Sequence, residues 1–488
     1  MRARWLSVVL AVTWALGVSG GGVAEGQVLG AAAQDRAVSG GKAYMARRGL
    51  KALGLTLMVP RRYAKTLVDE IQAFEEKTGI GVKRYVEVSE KEALERLREE
   101  AGSRSGGVDF FLAPPTVVPE SAELGLLLPL DGFIRAGRPD VEKVAPAFRH
   151  GSRYSGKTYG LLADGAVPVL ALRQDLTALP AERSAFKRKF GWEPDCPDTW
   201  SQWRQLAEFY TRESTEGKFS KYYGALSARS RGWGWRWWLQ RYYSKGKLPF
   251  DERMTPTLES PEAVATTKEY IEIAKYMPDD SRVWTQEEAV SAFLQGNIFS
   301  ILTYPSAARS IRRPAASAVA GKVKFCTVPG SLVEGGPFRR ALQIRGAVWL
   351  INRYGRHPEA AYWLIQWLTS GTVSARLASK PGSAFTPHRE DVLKDPKVAA
   401  AYTPQLLEII AKLTQVAAPE ILLVGAERYH EALDRNLFEA LTAAVSPEEA
   451  MKRTAEAWKH ITEAVGLKKQ IPAWRSFREG LPKKDLPE

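Results

Sequence analysis

The sequence predicts an α/β protein divided into two domains or lobes, and three observations carry that prediction. Its 488 residues exceed what one hydrophobic core usually fills, and 45% of them are hydrophobic, enough for two cores. Residues 50–115 read as strand, helix, strand, helix, strand with short connections, the order that builds a parallel sheet covered by helices. Helix-opening signals then recur downstream, and the stretch from about 398 to 465 is almost wholly helical in pattern.

The chain opens with "MRARWLSVVLAVTWALGVSGGGVAEG": Arg2 and Arg4, an apolar run from Trp5 to Val18, then small residues. These are the three parts of a secretory signal, so residues 1–24 are read as a signal peptide cleaved after Ala24, with Ala33 as a second candidate position. The apolar run is short for a bilayer span of roughly 20 residues. Residues 25–49 are rich in Gly, Ala and Ser without an apolar period and are read as a flexible leader.

Folding is expected to begin at "LKALGLTLMVP", a strand stopped by Pro60. Tyr63, Leu67, Ile71 and Phe74 then recur at helical spacing, with Gly79 as the stop. "GVKRYVEV" is a second strand, Ser89 with Glu92 is a capping box opening the next helix, and "VDFFLAPP" is a third strand. Further capping boxes stand at Thr199 with Gln202, Thr285 with Glu288 and Ser446 with Glu449.

Residues 151–158, "GSRYSGKT", fit the phosphate-loop pattern G-x-x-x-x-G-K-[ST]. That loop needs a buried strand before it and a helix after it, so that phosphates meet the helix N-terminus. Upstream lies polar chain broken by Pro146; downstream, Gly160, Gly165 and Pro168 break any helix. The segment is therefore read as a glycine turn joining two strands, with Lys157 in solvent.

The balance of 69 Lys+Arg against 55 Asp+Glu gives +14, spread along the chain as a solvated basic surface; no nucleic-acid partner is expected. The five histidines are scattered without ligand spacing, so no metal is expected. Cys196 and Cys326 could pair in an oxidising compartment or remain two separate buried thiols; sequence separation does not choose.

The order of segments resembles the family 1 extracellular solute-binding proteins of ABC importers, the maltose-binding-protein-like group. The matching stretches, in chain order, include "FEEKTGIGV", "DFFLAPPTVVPESAELGLLLPLDGFI", "SGKTYGLLADGAVPVLALRQDL", "PDTWSQWRQLAEFY", "EEAVSAFLQGNIFSILTYPSAA" and "IRGAVWLINRYGRHPEAAYWLIQWLTS". "SAFTPHREDVLKDP" and "SPEEAMKRTAEAW" resemble the closing motifs, so the likeness runs over roughly 50–465. Gly156, Lys157, Tyr159 and Gly160 fall on the family's turn. Departures are Arg345-Gly346, where the family usually has two glycines, and Ile298-Phe299.

The resemblance implies a two-lobe periplasmic binding protein fold with a hinge of crossing strands. Lobe one would hold 50–162 and 344–396, lobe two 163–343 and 397–470, with 471–488 a basic tail. It further implies a periplasmic monomer without cofactors that closes on a small solute and docks on the membrane subunits of an ABC permease, breaking no bond. The solute is expected to be a carbohydrate, with an acidic one within reach of the arginines.

Within that frame the candidate ligand contacts sit on lobe-edge loops: Arg61 and Arg62 after the first strand, Pro114 and Thr116 after the third, Asp164 at the first hinge crossing. In lobe two they are Ser227, Arg229, Trp233, Trp235, Tyr304 and Glu427, with Arg345 and Gly346 on the returning strand. Four of the 15 tryptophans fall within 233–238. Trp235, Trp238 and Tyr242 share a helical face that suits a core, whereas Trp233 lies between two glycines and suits a loop. Sugars stack apolar C–H faces on flat rings, which singles out Trp233 and Trp235. Arginines would suit a carboxylate or phosphate; Asp164 and Glu427 would suit a neutral sugar. The rival class, an extracytoplasmic glycosidase, needs two facing carboxylates that no motif marks here.

Overall fold

The computed structural model describes residues 31–213, 220–333, 336–340, 342–343 and 345–481; the signal segment expected over 1–24 lies outside them. The expected flexible leader is instead a helix where it is described. Helix α1 (Ala31–Arg48) buries Ala33, Ala37, Tyr44 and Met45. Ser39, Gly40 and Gly41 read as breakers in sequence, each glycine costing about 1 kcal/mol in a helix. The offset is close packing: a Cβ on Gly40 would lie 2.4 Å from the Trp363 ring. Gln366 Nε2 donates to the Ala33 carbonyl at 3.0 Å, and Arg36 Nε to that of Gly137 at 3.0 Å. Ala33, the second candidate cleavage position, is thus sealed in a helix interface.

β1 (Leu53–Pro60), α2 (Arg61–Thr78), β2 (Ile80–Val88), α3 (Glu90–Ser103) and β3 (Phe110–Ala113) follow in the expected order. The helical stripe of α2 is buried, and Gly79 ends it in the left-handed region (φ 78°) with its N–H on the Glu75 carbonyl. β1 runs parallel to both β2 and β3. β4 (Gly160–Ala166) and a strand returning late in the chain, Arg345–Ile351, complete a five-stranded sheet ordered β2, β1, β3, returning strand, β4. The returning strand is antiparallel to β3 and β4, pairing Val348 with Ala113 and Gly346 with Gly165. The C-terminal ends of β1, β3 and β4 and the start at Arg345 therefore share one edge. In open α/β sheets that carboxyl edge is where ligands bind. Gly165 is required there: a Cβ would meet the Phe148 ring at 2.8 Å.

From β4 the chain passes Val167-Pro168 into β5 (Val169–Arg173), the centre of an antiparallel three-stranded sheet with β6 (Ser300–Thr303) and β7 (Val323–Cys326). Thr303 pairs with Val169 and Cys326 with Leu170, so this end of the small sheet lies next to the crossing. Helices α4 (Trp200–Tyr210), α5 (Gly234–Ser244) and α6 (Pro261–Glu272) lie between β5 and β6 in the chain. β8 (Leu342–Gln343) pairs with Ala418–Pro419, and the chain then re-enters the large sheet as β9 (Arg345–Ile351). Cys196 and Cys326 form a disulfide across 130 residues, with Cα atoms 5.6 Å apart; the question left open by sequence is answered in favour of pairing.

α7 (Pro358–Leu368) packs on α1, and α8 (Ala426–Leu441), α9 (Pro447–Val465) and α10 (Leu467–Glu479) close the fold. α10 begins before the expected basic tail and extends through residue 479 of it. Trp474 is fully buried, stacks on Phe477 at 4.9 Å and donates its indole N–H to the Asp251 carbonyl at 2.8 Å. Residues 482–488 lie outside the described residues. "GSRYSGKT" is a hairpin: Arg153–Tyr154 pairs with Lys157–Thr158 around Ser155 (φ 47°) and Gly156 (φ 75°). β4 follows it, not a helix, and Lys157 is exposed, so the segment cannot cradle a phosphate in the manner of an ATPase.

Candidate functional site

Pro60 ends β1, so Arg61 and Arg62 start α2 at the ligand-side edge; Arg62 lies over the Tyr63 ring at 4.2 Å. Pro114 follows β3 and starts a short turn in which Thr116 is buried. Thr116 Oγ1 donates to Glu427 Oε1 at 2.6 Å. Glu427 is in the first turn of α8, so this bond ties the large-sheet edge to that helix. Charge-assisted bonds of this kind are the stronger ones.

At the small sheet, residues 223–228 run beside β6: Tyr223 bridges Ile298 and the Leu302 N–H donates to the Leu226 carbonyl at 2.9 Å. That segment and β6 end together, which brings Tyr304 and Trp233 to the same end of the small sheet. The Trp233 and Tyr304 rings are 6.2 Å apart, and Tyr304 stacks against Trp237 at 5.7 Å. The indole N–H of Trp237 donates to the Ala228 carbonyl at 2.7 Å, fixing this wall.

Trp233 is the N-cap residue of α5, with no side-chain cap of its own. The cap comes from α8: Asp434 accepts from the N–H of Gly232 at 2.5 Å and of Trp235 at 3.1 Å. Burial raises the Asp434 carboxyl above its ordinary range, while these two N–H groups oppose the rise. Arg236 lies over both the Trp233 and Trp235 rings, at 5.0 and 4.4 Å. A carboxylate, a guanidinium and two backbone donors thus hold the tryptophan loop in place.

Four sequence candidates turn away from the edge. Trp235 stacks face to face on His430 at 3.7 Å and belongs to the core. His430 is fully buried, and burial, aided by Arg236, holds its pKa well below the usual histidine value. Ser227 points inward to the Met277 sulfur at 3.8 Å. Arg229, 2% exposed, donates to the Tyr270 carbonyl at 2.8 Å and lies over the Tyr270 ring, inside the lobe. Asp164 is spent internally: it accepts from Tyr63 Oη at 2.6 Å and from the N–H and Oγ1 of Thr386 at 2.8 and 2.6 Å. It clamps the segment after residue 385 to the hinge strand. Arg345 pairs through its backbone with Ala166, and Gly346 is buried against Gly165.

Among the candidates, contacts join Thr116 to Glu427 and Trp233 to Tyr304, while Arg61, Arg62 and Pro114 stand where β1 and β3 end and Gly346 pairs with Gly165. Sequence reasoning missed Arg236, Thr386, His430 and Asp434. Of these, only Asp434 carried a signal, an acidic residue on the buried stripe of an otherwise amphipathic helix. Among the described residues no cluster of His, Cys, Asp and Glu could hold a metal ion, and no helix is long and apolar enough to cross a membrane.

The sequence profile of bacterial extracellular solute-binding proteins matches residues 70–404. The chain belongs to this family. Solved solute-binding proteins share its two-lobe fold. A solute-binding protein from Agrobacterium radiobacter K84 in complex with ribitol superposes with a TM-score of 0.71 at 20% identity, covering 84% of this chain and 99% of that one. MalE3 of T. maritima with bound maltose gives 0.70 at 19%, covering 84% and 100%. A solute-binding protein from Agrobacterium vitis S4 with bound D-mannitol gives 0.68 at 21%, covering 85% and 99%. No curated protein sequence matches this chain. The family and these neighbours are binding proteins, which is the reading that the ordered motifs implied.

Proposed function

We propose that this solute-binding protein captures a carbohydrate or polyol between its lobes and delivers it, chemically unchanged, to the membrane subunits of an ABC permease. It would act as a monomer in the periplasm after its signal segment has been removed. Lobe one would comprise 50–162 and 344–396 with α1 added, and lobe two 163–343 and 397–470.

The observations that carry this reading are the pairing of Trp233 with Tyr304 at one end of the small sheet and the Thr116–Glu427 hydrogen bond at the edge of the large one. Flat aromatic surface suits the C–H face of a sugar or polyol, and Glu427, Arg61 and Arg62 are polar groups that can fix its hydroxyls. The sugars and polyols named in the solved relatives support the same class. A ligand favours the closed arrangement only by its differential affinity for it, and a bond bridging the lobes is one source of that difference.

A thermal-shift screen of the protein begun near residue 25 tests this against neutral sugars, polyols, sugar acids and Mg-ATP. A ligand at one hundred times its dissociation constant adds about 2.7 kcal/mol. A selective shift with one sugar or polyol class, with the solute recovered unchanged, is expected. Turnover of the solute, or stabilisation by Mg-ATP alone, contradicts the proposal.

A further inference from the structure

Arg229 was a candidate for holding an anionic solute in the cleft, yet its side chain lies at the back of α5 beside Arg241. Both guanidiniums are 2% exposed. Arg229 donates to the Tyr270 carbonyl and to Ser227 Oγ, and its Nη1 is buried without a partner among the described residues. Among the described residues the Arg241 side chain makes one hydrogen bond, from Nη1 to the Trp237 carbonyl at 3.0 Å, and lies over the rings of Trp200 at 4.2 Å and Trp203 at 5.5 Å. No carboxylate among the described residues bonds to either. Burial, with Arg229 nearby, pushes Arg241 down to about 9. Two buried cations that bond to no carboxylate are costly, and Glu269 on the same cavity wall raises Arg241 by less than burial lowers it.

Arg241 also lines a cavity of about 210 Å³ with Trp200, Trp203, Arg204, Glu269 and Glu272. Arg204 is engaged with Glu208 at 3.3 Å and Glu272 at 3.7 Å, and Glu269 Oε1 with Lys245 at 2.7 Å. Glu269 Oε2 is buried and lacks a donor. Both indole N–H groups are already bonded, to Ser244 and Ser300, so the tryptophans offer only ring surface. What the pocket leaves open is a carboxylate bonded to Arg241 and, beside it, a hydroxyl for Glu269. We propose that it is a second binding site, on the flank of the lobe, for a small hydroxycarboxylate such as a sugar acid. The carboxylate would take the free edge of the Arg241 guanidinium, a planar fork that suits it. A hydroxyl would donate to Glu269 Oε2, and the carbon skeleton would lie along the indoles. Arg241 is eight residues from Trp233, about 12 Å along the helix, so this site is separate from the cleft.

Titration calorimetry with D-glucuronate as the probe and D-glucose as the neutral control tests this. The expected result is a saturable site that persists in Trp233→Ala, where cleft binding is impaired, and takes D-glucose at least about tenfold more weakly. Arg241→Met should weaken it by about tenfold or more, with folding checked by circular dichroism. Ser201 also lines the cavity and is exposed, so Ser201→Trp should fill it and do the same, deciding the matter if Arg241→Met fails to fold. Absence of saturable binding by about 10 mM overturns the proposal. So does binding that vanishes in Trp233→Ala, which would place it in the cleft, or that is unchanged in Ser201→Trp.

Discussion

Replacing both Cys196 and Cys326 by serine removes the one covalent link in the smaller-sheet lobe. The disulfide joins the loop before α4 to the end of β7 and closes a loop of 130 residues, which contains α4, α5 and the tryptophan wall. In the chain-entropy account, a cross-link over a loop of that length stabilises the fold by about 5 kcal/mol, because the unfolded chain loses freedom. Domains of 150–250 residues lose roughly 2–4 °C of Tm per kcal/mol, so the variant should melt about 10–20 °C lower. The assay is calorimetry of oxidised wild type and the Cys196→Ser/Cys326→Ser variant, with a thiol titration of the unfolded wild type. The wild type should show no free thiol and the variant the lower transition. Two free thiols in the wild type, or transitions coinciding within about 2 °C, would refute the pairing or its energetic role.

Other outcomes follow from the same geometry. Thr116→Val removes the donor to Glu427, a hydrogen bond to a charged group worth about 1.5–3 kcal/mol; solute affinity should fall and small-angle scattering should show a larger radius with solute present. Trp233→Ala should weaken solute binding by about tenfold or more, read by calorimetry, and should also lower the Tm because the ring is buried against Tyr304. His388 and His430 are fully buried, with pKa values held below the ordinary 6.5 by burial. A depressed histidine contributes stability above its unfolded value and loses it as pH falls, so Tm should drop between about pH 6.5 and 5.5. The slope approaches about 1.4 kcal/mol per pH unit for each histidine, and His430→Phe should flatten it. Starting the protein at residue 50 strips α1 from Trp363 and Phe74 and should lower the Tm or abolish folding, whereas starting at residue 25 should not.

Much of the large sheet was legible because its signals are local. The stripe of Tyr63, Leu67, Ile71 and Phe74, the Gly79 stop and the Ser89 capping box each act within a few residues, and each stands where periodicity placed it. "GSRYSGKT" was legible for the same reason: neighbouring glycines and prolines exclude the strand and helix that a phosphate loop needs. The α1 helix was not, because Gly40 and Gly41 speak against it locally and only the distant Trp363 face rewards them. The disulfide likewise depends on a meeting of residues that no spacing reports. At the site, edge positions were legible from where strands end, but side-chain direction was not. Arg229 and Ser227 lie on the segment that leads into the tryptophan loop and point inward; Asp434, on a different helix, holds that loop through two N–H groups.

The central claim is that solute binds between the lobes and draws them together. The most direct measurement is titration calorimetry of the screened sugar or polyol against wild type, Trp233→Ala and Thr116→Val, paired with small-angle scattering. The account predicts one site, loss of affinity in both variants, and a contraction on binding that Thr116→Val diminishes. Tight binding that ignores both substitutions and leaves the molecular dimensions unchanged would contradict it.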